Sequence, residues 1–361
     1  MAQRRTIFGM VQRLEAAPVA LGGPSTQGNE TTNVYFDSGD TVRISGDDAR
    51  SGSYRSILKD ASDAHVPVFV VLEDTTGTIL ELHIPLPPDI VTSLSEADAQ
   101  TLEVELQVSQ GRHFLKRSSP DFQRLRDALE NARKRETGVM VTETDEREII
   151  DVREARLPFV LETARPEAPD TFLTASAISM GDAEKLFAMV SGKTCDAKRP
   201  VAPCITFLFP DDGCYARAHE MCRLVGTNKT GKVWVYGKLV AKTRNHPNCQ
   251  VEWRYHVAPT VPVKNGSTIT SYVLDPSLFR KPVTITTWKG VQGDPGAKTE
   301  ETDAEPYYRA PNGDVVKDSD YSETNTALAT FRLKLKNRSA STDGAPPYAK
   351  CPAALAEEEI V

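Results

Sequence analysis

One pattern occurs twice in the first half of this chain, and it limits the folds that half can take. TVRISGDD, YRSILKDASDA and VPVFVVLED read as strand, amphipathic helix and strand. RHFLKRSS, FQRLRDALENARKR and TGVMVTETD read the same way further on. Setting Val68–Val71 on Val139–Thr142 gives an offset of 71 residues, which also places Leu58 on Leu129 and Ala61 on Ala132, on one helical face. A short strand follows each copy, TILELHI and REIIDVR. Two unrelated β-α-β-β units can share so common a pattern, but a duplication is the preferred reading. It puts one unit at residues 36–95 and a second at 100–164.

At 361 residues the chain exceeds one ordinary core and calls for two or three domains. Residues 1–35, rich late on in Gly, Ser, Thr, Asn and Gln, are expected to be flexible. The stretch 165–177, with Pro166 and Pro169, reads as a linker. A further domain over 178–336 opens with SMGDAEKLFAMV, where Ser179 and Asp182 resemble a capping box and Leu186, Phe187 and Val190 form an apolar stripe. Expected strands follow: KVWVYGKLVA, VEWRYHVAPTV, SYVLDPSLF and ALATFRLKL, rich in β-branched and aromatic residues. Helices and then a run of strands point to an α+β fold rather than a doubly wound sheet. The tail, 337–361, is expected to be loose.

Charge divides unevenly. Residues 1–180 carry a net −10 and residues 181–361 a net +3, within a total of −7. Such halves attract each other, although a solvated acidic surface gives the same numbers. No basic block with interleaved aromatics suggests nucleic acid. No apolar run reaches the roughly 20 residues that cross a bilayer. The N-terminus lacks the continuous apolar core of a secretory signal, since Gln12, Arg13 and Glu15 interrupt it.

All six cysteines, Cys195, Cys204, Cys214, Cys222, Cys249 and Cys351, lie in the second half, without a CxxC pair. The HPNC run from His246 has ligand-like spacing but is weak alone, and no metal is expected. Cys195 and Cys204 suit either a short disulfide loop or two buried thiols.

The chemistry centres on DGCYARAHEM. CYARAHEMCRLV reads as a helix after a turn, so Cys214 stands in the first helical turn. Unpaired backbone N–H groups and the helix dipole there favour a thiolate and supply donors for an oxyanion. A small side chain starting a buried helix gives the same pattern. A thiolate nucleophile needs a base and an orienter. His256, in the half-buried strand WRYHVAP, is the candidate base, and Asp275, ending a strand before Pro276, the candidate orienter. His219 reads as structural.

The run PCITFLFPDDGCYARAHEM, followed by VYGKL, WRYHVA, LDPSLF and YYRAPNG, resembles the bacterial protein-glutaminase family in order and spacing over roughly residues 180–335. The resemblance implies a transglutaminase/papain-like cysteine amidohydrolase domain that converts glutamine side chains of proteins or peptides to glutamate and releases ammonia. It implies Cys214 as nucleophile, His256 as general base and acid, Asp275 as orienter, a thioester intermediate and no cofactor. Trp253 and Tyr255 are candidate walls of the glutamine slot, with core packing preferred for at least one. The first half resembles the family's pro-region, best in YRSILKDASDAHVPVFVVLED, which implies contact with the catalytic domain and inhibition. It departs from the family in holding the unit twice and in showing no leader peptide, so an inhibitor removed by cleavage and a permanent docking module both stand. Cys195, Cys204 and Cys249 have family counterparts; Cys222 does not. The alternatives are a transglutaminase-like or protease thiol enzyme and a non-catalytic interaction protein. Export by a Sec-independent route, as for an effector, is the favoured expectation for location, with the cytoplasm as the alternative.

Overall fold

The computed structural model describes residues 4–16, 31–157, 159–160, 162–163 and 177–352. The first unit runs β1 (Arg4–Gly9), β2 (Val11–Ala16), β3 (Thr32–Phe36), β4 (Thr41–Ile44), α1 (Ser51–Asp63), β5 (Val68–Glu73) and β6 (Ile79–His83). The second runs β7 (Asp89–Asp98), β8 (Thr101–Leu106), β9 (His113–Lys116), α2 (Phe122–Arg135), β10 (Gly138–Glu143) and β11 (Ile149–Ala155). In the second unit the strand order is β11-β10-β7-β8-β9. In the first, β6-β5-β1 and β2-β3-β4 form two sheets of the same order, with β1 and β2, parted at Met10, standing where the single strand β7 stands.

The helices repeat in the same register. Tyr54, Leu58 and Ala61 are buried on α1, and Leu125, Leu129 and Ala132 on α2. Each helix is followed by a residue in the left-handed region, His65 (φ 52°) and Glu136 (φ 53°), again 71 apart. The isolated parallel bridges Arg43–Thr78 and Phe114–Glu148 occupy matching places. Each unit therefore contains more strands than the sequence pattern suggested, because its first strand pairs with a strand distant in sequence: Arg4–Gly9 is matched against Val68–Glu73. Within the segment 1–35 that was expected to be flexible, residues 4–16 form strands whose Ile7 and Val11 reach the core of the first unit, and residues 17–30 lie outside the described residues.

The second half contains β12 (Glu162–Thr163), α3 (Met180–Ser191), α4 (Cys214–Val225), β13 (Gly231–Lys242), β14 (Gln250–Asn265), β15 (Thr268–Val273), β16 (Val283–Thr284), α5 (Ile285–Gly290), β17 (Lys298–Asp303), β18 (Pro306–Arg309), β19 (Asp314–Lys317) and α6 (Ser322–Ser339). An antiparallel sheet of order β16-β15-β14-β13-β17 carries α3 and α4, and a small sheet β12-β19-β18 stands beside it. The Ser179 hydroxyl caps α3 by accepting from the Asp182 N–H at 3.1 Å, as its motif suggested.

Two expectations are corrected. ALATFRLKL lies inside α6 instead of forming a strand. Thr324, Ala327, Leu328, Phe331 and Leu335 fall on one helical face, all buried, in a stretch of strong helix formers. The tail is tied down at least to Pro352: Tyr348 N–H donates to the Arg244 carbonyl at 2.7 Å, and Cys351 is bonded to Cys249. Most of the expected linker, residues 165–176, and the end of the tail, 353–361, lie outside the described residues. Cys195 and Cys204 form a second disulfide, the short loop their spacing allowed.

Helix α6 joins the halves. Leu333 packs into the core of the first unit, while Phe331 and Leu335 belong to the core shared by the second unit and the second half of the chain. Its cations meet acids of the first half: Lys334 faces Glu143, Lys336 pairs with Asp60, and Arg338 reaches Asp145 at 3.1 Å. Part of the charge asymmetry is thus neutralised at this contact. Among the described residues no helix is long and apolar enough to cross a membrane.

Candidate active site

The chain turns sharply before α4. Gly213 has φ +81°, and a Cβ there would come within 2.5 Å of the Phe331 ring, so only glycine fits. The turn is pinned by Arg217, whose Nη1 donates to the carbonyls of Phe209, at 3.0 Å, and Asp212, at 2.5 Å. Cys214 is the first residue of α4 and is 1% exposed.

Strand β14 packs against α4 and carries His256, 1% exposed. The His256 Nε2 faces an Asp275 oxygen at 2.8 Å. The same carboxylate accepts from Trp288 Nε1 at 2.8 Å and from the Ser277 N–H at 3.0 Å. The imidazole lies between two indoles: Trp253 stacks at 4.5 Å and 15°, and Trp288 on α5 at 5.4 Å and 25°. Asp275 and the two rings thereby fix both the tilt of the imidazole and which of its nitrogens faces the carboxylate. The backbone N–H of Val257, next in the strand, donates to the Cys214 sulfur. His256 Nδ1 is buried without a hydrogen-bond partner, so the thiol–imidazole bond is not made in this closed form.

Burial dominates the electrostatics. It pushes the Cys214 thiol well up; Arg217 opposes the shift, and Asp212 and Asp275 add to it. This reverses the sequence-based expectation of a lowered value, because desolvation of a sealed sulfur outweighs the first-turn dipole. For Asp275, burial also pushes upward, but His256 and the Trp288 donor together outweigh it, and the carboxyl sits below its ordinary value.

What seals the site is the segment Val108–Gly111, between β8 and β9. Arg254 N–H donates to the Gln110 carbonyl at 2.9 Å, and Gly111 forms an antiparallel bridge with Trp253. The Tyr255 hydroxyl donates to the Val108 carbonyl, and Arg254 Nη2 to the carbonyls of Leu106 and Ser109. On the other side, the Asp89 carboxylate accepts from the N–H groups of Val108 and Ser109 at 3.0 and 2.8 Å. Ser109 Oγ donates to Asp212 and lies 2.8 Å from His113 Nε2, while His113 Nδ1 is 2.7 Å from Glu143. The Gln110 side chain points inward, and its Oε1 accepts from the Cys214 N–H at 2.7 Å.

Comparisons with known proteins point to one family. A family model described as Glutaminase, of the glutamine-deamidase type, matches residues 183–292. The crystal structure of a pro-protein-glutaminase is similar at 27% identity and a TM-score of 0.54, over 75% of this chain and 99% of that one. A protein-glutaminase crystal structure shares 34% identity over 50% of this chain and all of that one, with a TM-score of 0.41. The protein-glutaminase of Chryseobacterium proteolyticum, solved by NMR, shares 34% identity over 49% of this chain and 98% of that one, with a TM-score of 0.40. The chain belongs to the protein-glutaminase family. A search of curated proteins finds no match.

In this family member Cys214, His256 and Asp275 come together at one buried point. Trp253 is fully buried against the imidazole, and Tyr255 is buried with its hydroxyl on the strap. His219 bridges the Lys232 ammonium, at 2.9 Å, and the Asp318 carbonyl, at 3.1 Å, away from the sulfur. Cys249 of the HPNC run is held in its disulfide. Sequence reasoning passed over Arg217, Trp288 and Gln110. Trp288 sits in TTWKG, where nothing marks it as the neighbour of Asp275. The PDDG run, a turn ending in glycine before a helix, was the available signal for Arg217, one helical turn on.

Proposed function

We propose that the chain is a thiol amidohydrolase that deamidates glutamine side chains of proteins or peptides, with Cys214, His256 and Asp275 as its catalytic triad. The observation that carries the reading is a glutamine carboxamide oxygen on the Cys214 N–H, beside an imidazole held by Asp275. His256 Nδ1 takes the thiol proton as sulfur attacks the carboxamide carbon. The Cys214 N–H holds the oxyanion. His256 protonates the leaving nitrogen, ammonia departs, and a γ-glutamyl thioester remains. Water deprotonated by the same imidazole hydrolyses it, giving glutamate and the free thiol. Asp275 keeps Nδ1 turned to the sulfur and stabilises the imidazolium. A nucleophilic cysteine starting a helix, against a strand that carries its histidine, supports a transglutaminase/papain-like core.

The first half acts as an inhibitory pro-region. The strap fills the slot, so a glutamine from another protein has no access to the Cys214 sulfur. The test compares ammonia release from casein by the full chain, by residues 178–361 and by the Cys214→Ala form of that fragment. Release by the fragment, none by the variant and little by the full chain is the expected result. No release by the fragment overturns the reading; equal release by the full chain overturns the inhibitory role.

A further inference from the structure

A strap that merely blocks a cleft needs bulk, and an apolar side chain supplies it. This strap presents Gln110, fully buried, with every polar atom engaged. Oε1 accepts from the Cys214 N–H at 2.7 Å and Nε2 donates to the Pro210 carbonyl at 3.3 Å. The main-chain N–H donates to Asp212 Oδ1 at 3.3 Å, and the main-chain carbonyl accepts from the Arg254 N–H at 2.9 Å. The carboxamide is therefore oriented: its oxygen lies on a donor suited to an oxyanion, and its nitrogen on a carbonyl. Held by the fold on the Cys214 N–H, it needs no bimolecular encounter to reach the residue that bears the sulfur.

We infer that Gln110 is the chain's own first substrate and that Cys214 deamidates it in cis, leaving a glutamate at that position of the strap. The inference rests on the glutaminase reading. The Cys214 sulfur bonds to the Gln110 carboxamide carbon, and the thiol proton passes through His256 to the nitrogen. The carbon–nitrogen bond breaks and ammonia leaves. Water then adds to the thioester carbon, the carbon–sulfur bond breaks, and the sulfur regains a proton. The sum is one glutamine side chain plus water giving one glutamate side chain plus ammonia, with no oxidant or reductant.

The product fits the slot worse than the substrate did. An ionised glutamate in place of Gln110 has no donor for the Pro210 carbonyl, so two acceptors face each other. It also adds a negative charge near Asp212, which already accepts from Ser109 Oγ and the Gln110 N–H. Like charges in a buried site repel strongly. One turnover in cis thus weakens the side-chain hold of the strap, while its backbone bonds to Arg254 and Asp89 remain, so the first half still covers the site until it is removed.

Mass mapping of the peptide spanning residue 110 in the purified full chain tests this. The wild-type chain is expected to carry glutamate at that position, and Cys214→Ala to retain Gln110 completely. His256→Gln serves as a second inactive form should the first fold poorly. Glutamate in all forms overturns the inference, because the conversion then owes nothing to Cys214. Glutamine in the wild type overturns it too. If that same sample, opened by limited proteolysis, still releases ammonia from casein, the glutaminase reading stands without it. If no ammonia is released, both fall together.

Discussion

Asp275→Asn isolates what the carboxylate does. Its two oxygens accept three hydrogen bonds, from His256, Trp288 and Ser277, at 2.8, 2.8 and 3.0 Å. An amide has one oxygen and an NH2 that cannot accept. Turned so that its oxygen serves both rings, it faces the Ser277 N–H with a donor. That buried N–H is left unpaired, at roughly 1–3 kcal/mol of stability. The larger effect is on catalysis. An opposite charge about 4 Å from the imidazolium contributes about 4 kcal/mol at an effective dielectric constant near 20. Losing most of that lowers kcat by roughly 10²- to 10³-fold at about 1.4 kcal/mol per decade. KM changes little, since Asp275 touches the imidazole rather than the substrate slot. Ammonia release from casein by residues 178–361, with urea denaturation as a check on folding, reads all three. A folded variant with unchanged kcat refutes the assignment, and a change confined to KM places Asp275 in substrate binding instead.

Trp288→Phe keeps the stack on His256 but removes one donor to the same carboxylate; its kcat should fall by less than that of Asp275→Asn, and an equal or larger fall would mean that the indole does more than donate. The disulfide between Cys249 and Cys351 spans 102 residues and that between Cys195 and Cys204 spans 9. In the chain-entropy description, losing the first costs about 4–5 kcal/mol and losing the second about 2–3 kcal/mol; urea midpoints of Cys351→Ala and Cys204→Ala give the order, and the reverse order refutes the loop-length argument. Burial pushes the Glu143 and Asp211 carboxyls up, but Arg147, His113 and Lys334 around Glu143, and Arg338 and His246 around Asp211, outweigh it and hold both below the ordinary range. Their stabilisation is complete above the unfolded carboxyl value of about 4 and is lost as pH falls through the lower folded values. Stability measured against pH should therefore drop on the acid side, and Glu143→Gln should flatten the drop; an unaltered slope would remove Glu143 from the account. Gly213→Ala should destabilise by roughly 1–3 kcal/mol or more through its left-handed φ and the Phe331 ring, and a neutral result in thermal melts would show that the turn relaxes.

The repeat was legible because it is local. Leu58 and Leu129 sit in helices whose apolar faces are written within a dozen residues. The strands Arg4–Gly9 and Val11–Ala16 were not, because their short, charged sequences acquire meaning only from partners elsewhere in the chain. The LKLK alternation in α6 satisfies a strand period as well as a helical one, and burial of Phe331 and Leu335 decides between them. Cys214, His256 and Asp275 emerged through uncommon strings in a recognisable order rather than through spacing. Nothing within the polar run QVSQGR marks its glutamine, and Gln110 lies 104 residues from the atom that gives it significance. Pairings of that range belong to the folded chain, as does the union of Cys249 with Cys351.

The strap lends its backbone to β14: the Gln110 carbonyl is taken by the Arg254 N–H, and Gly111 pairs with Trp253. A target glutamine entering the same way must arrive on a chain whose own carbonyl is still free. Residues within a helix have already committed theirs. Such an enzyme sorts proteins by how readily a stretch of them comes undone. Loops and unfolding segments pass, whereas a glutamine in firm secondary structure waits on local opening. The pattern of converted glutamines on a given protein would then read as a map of its weakest regions.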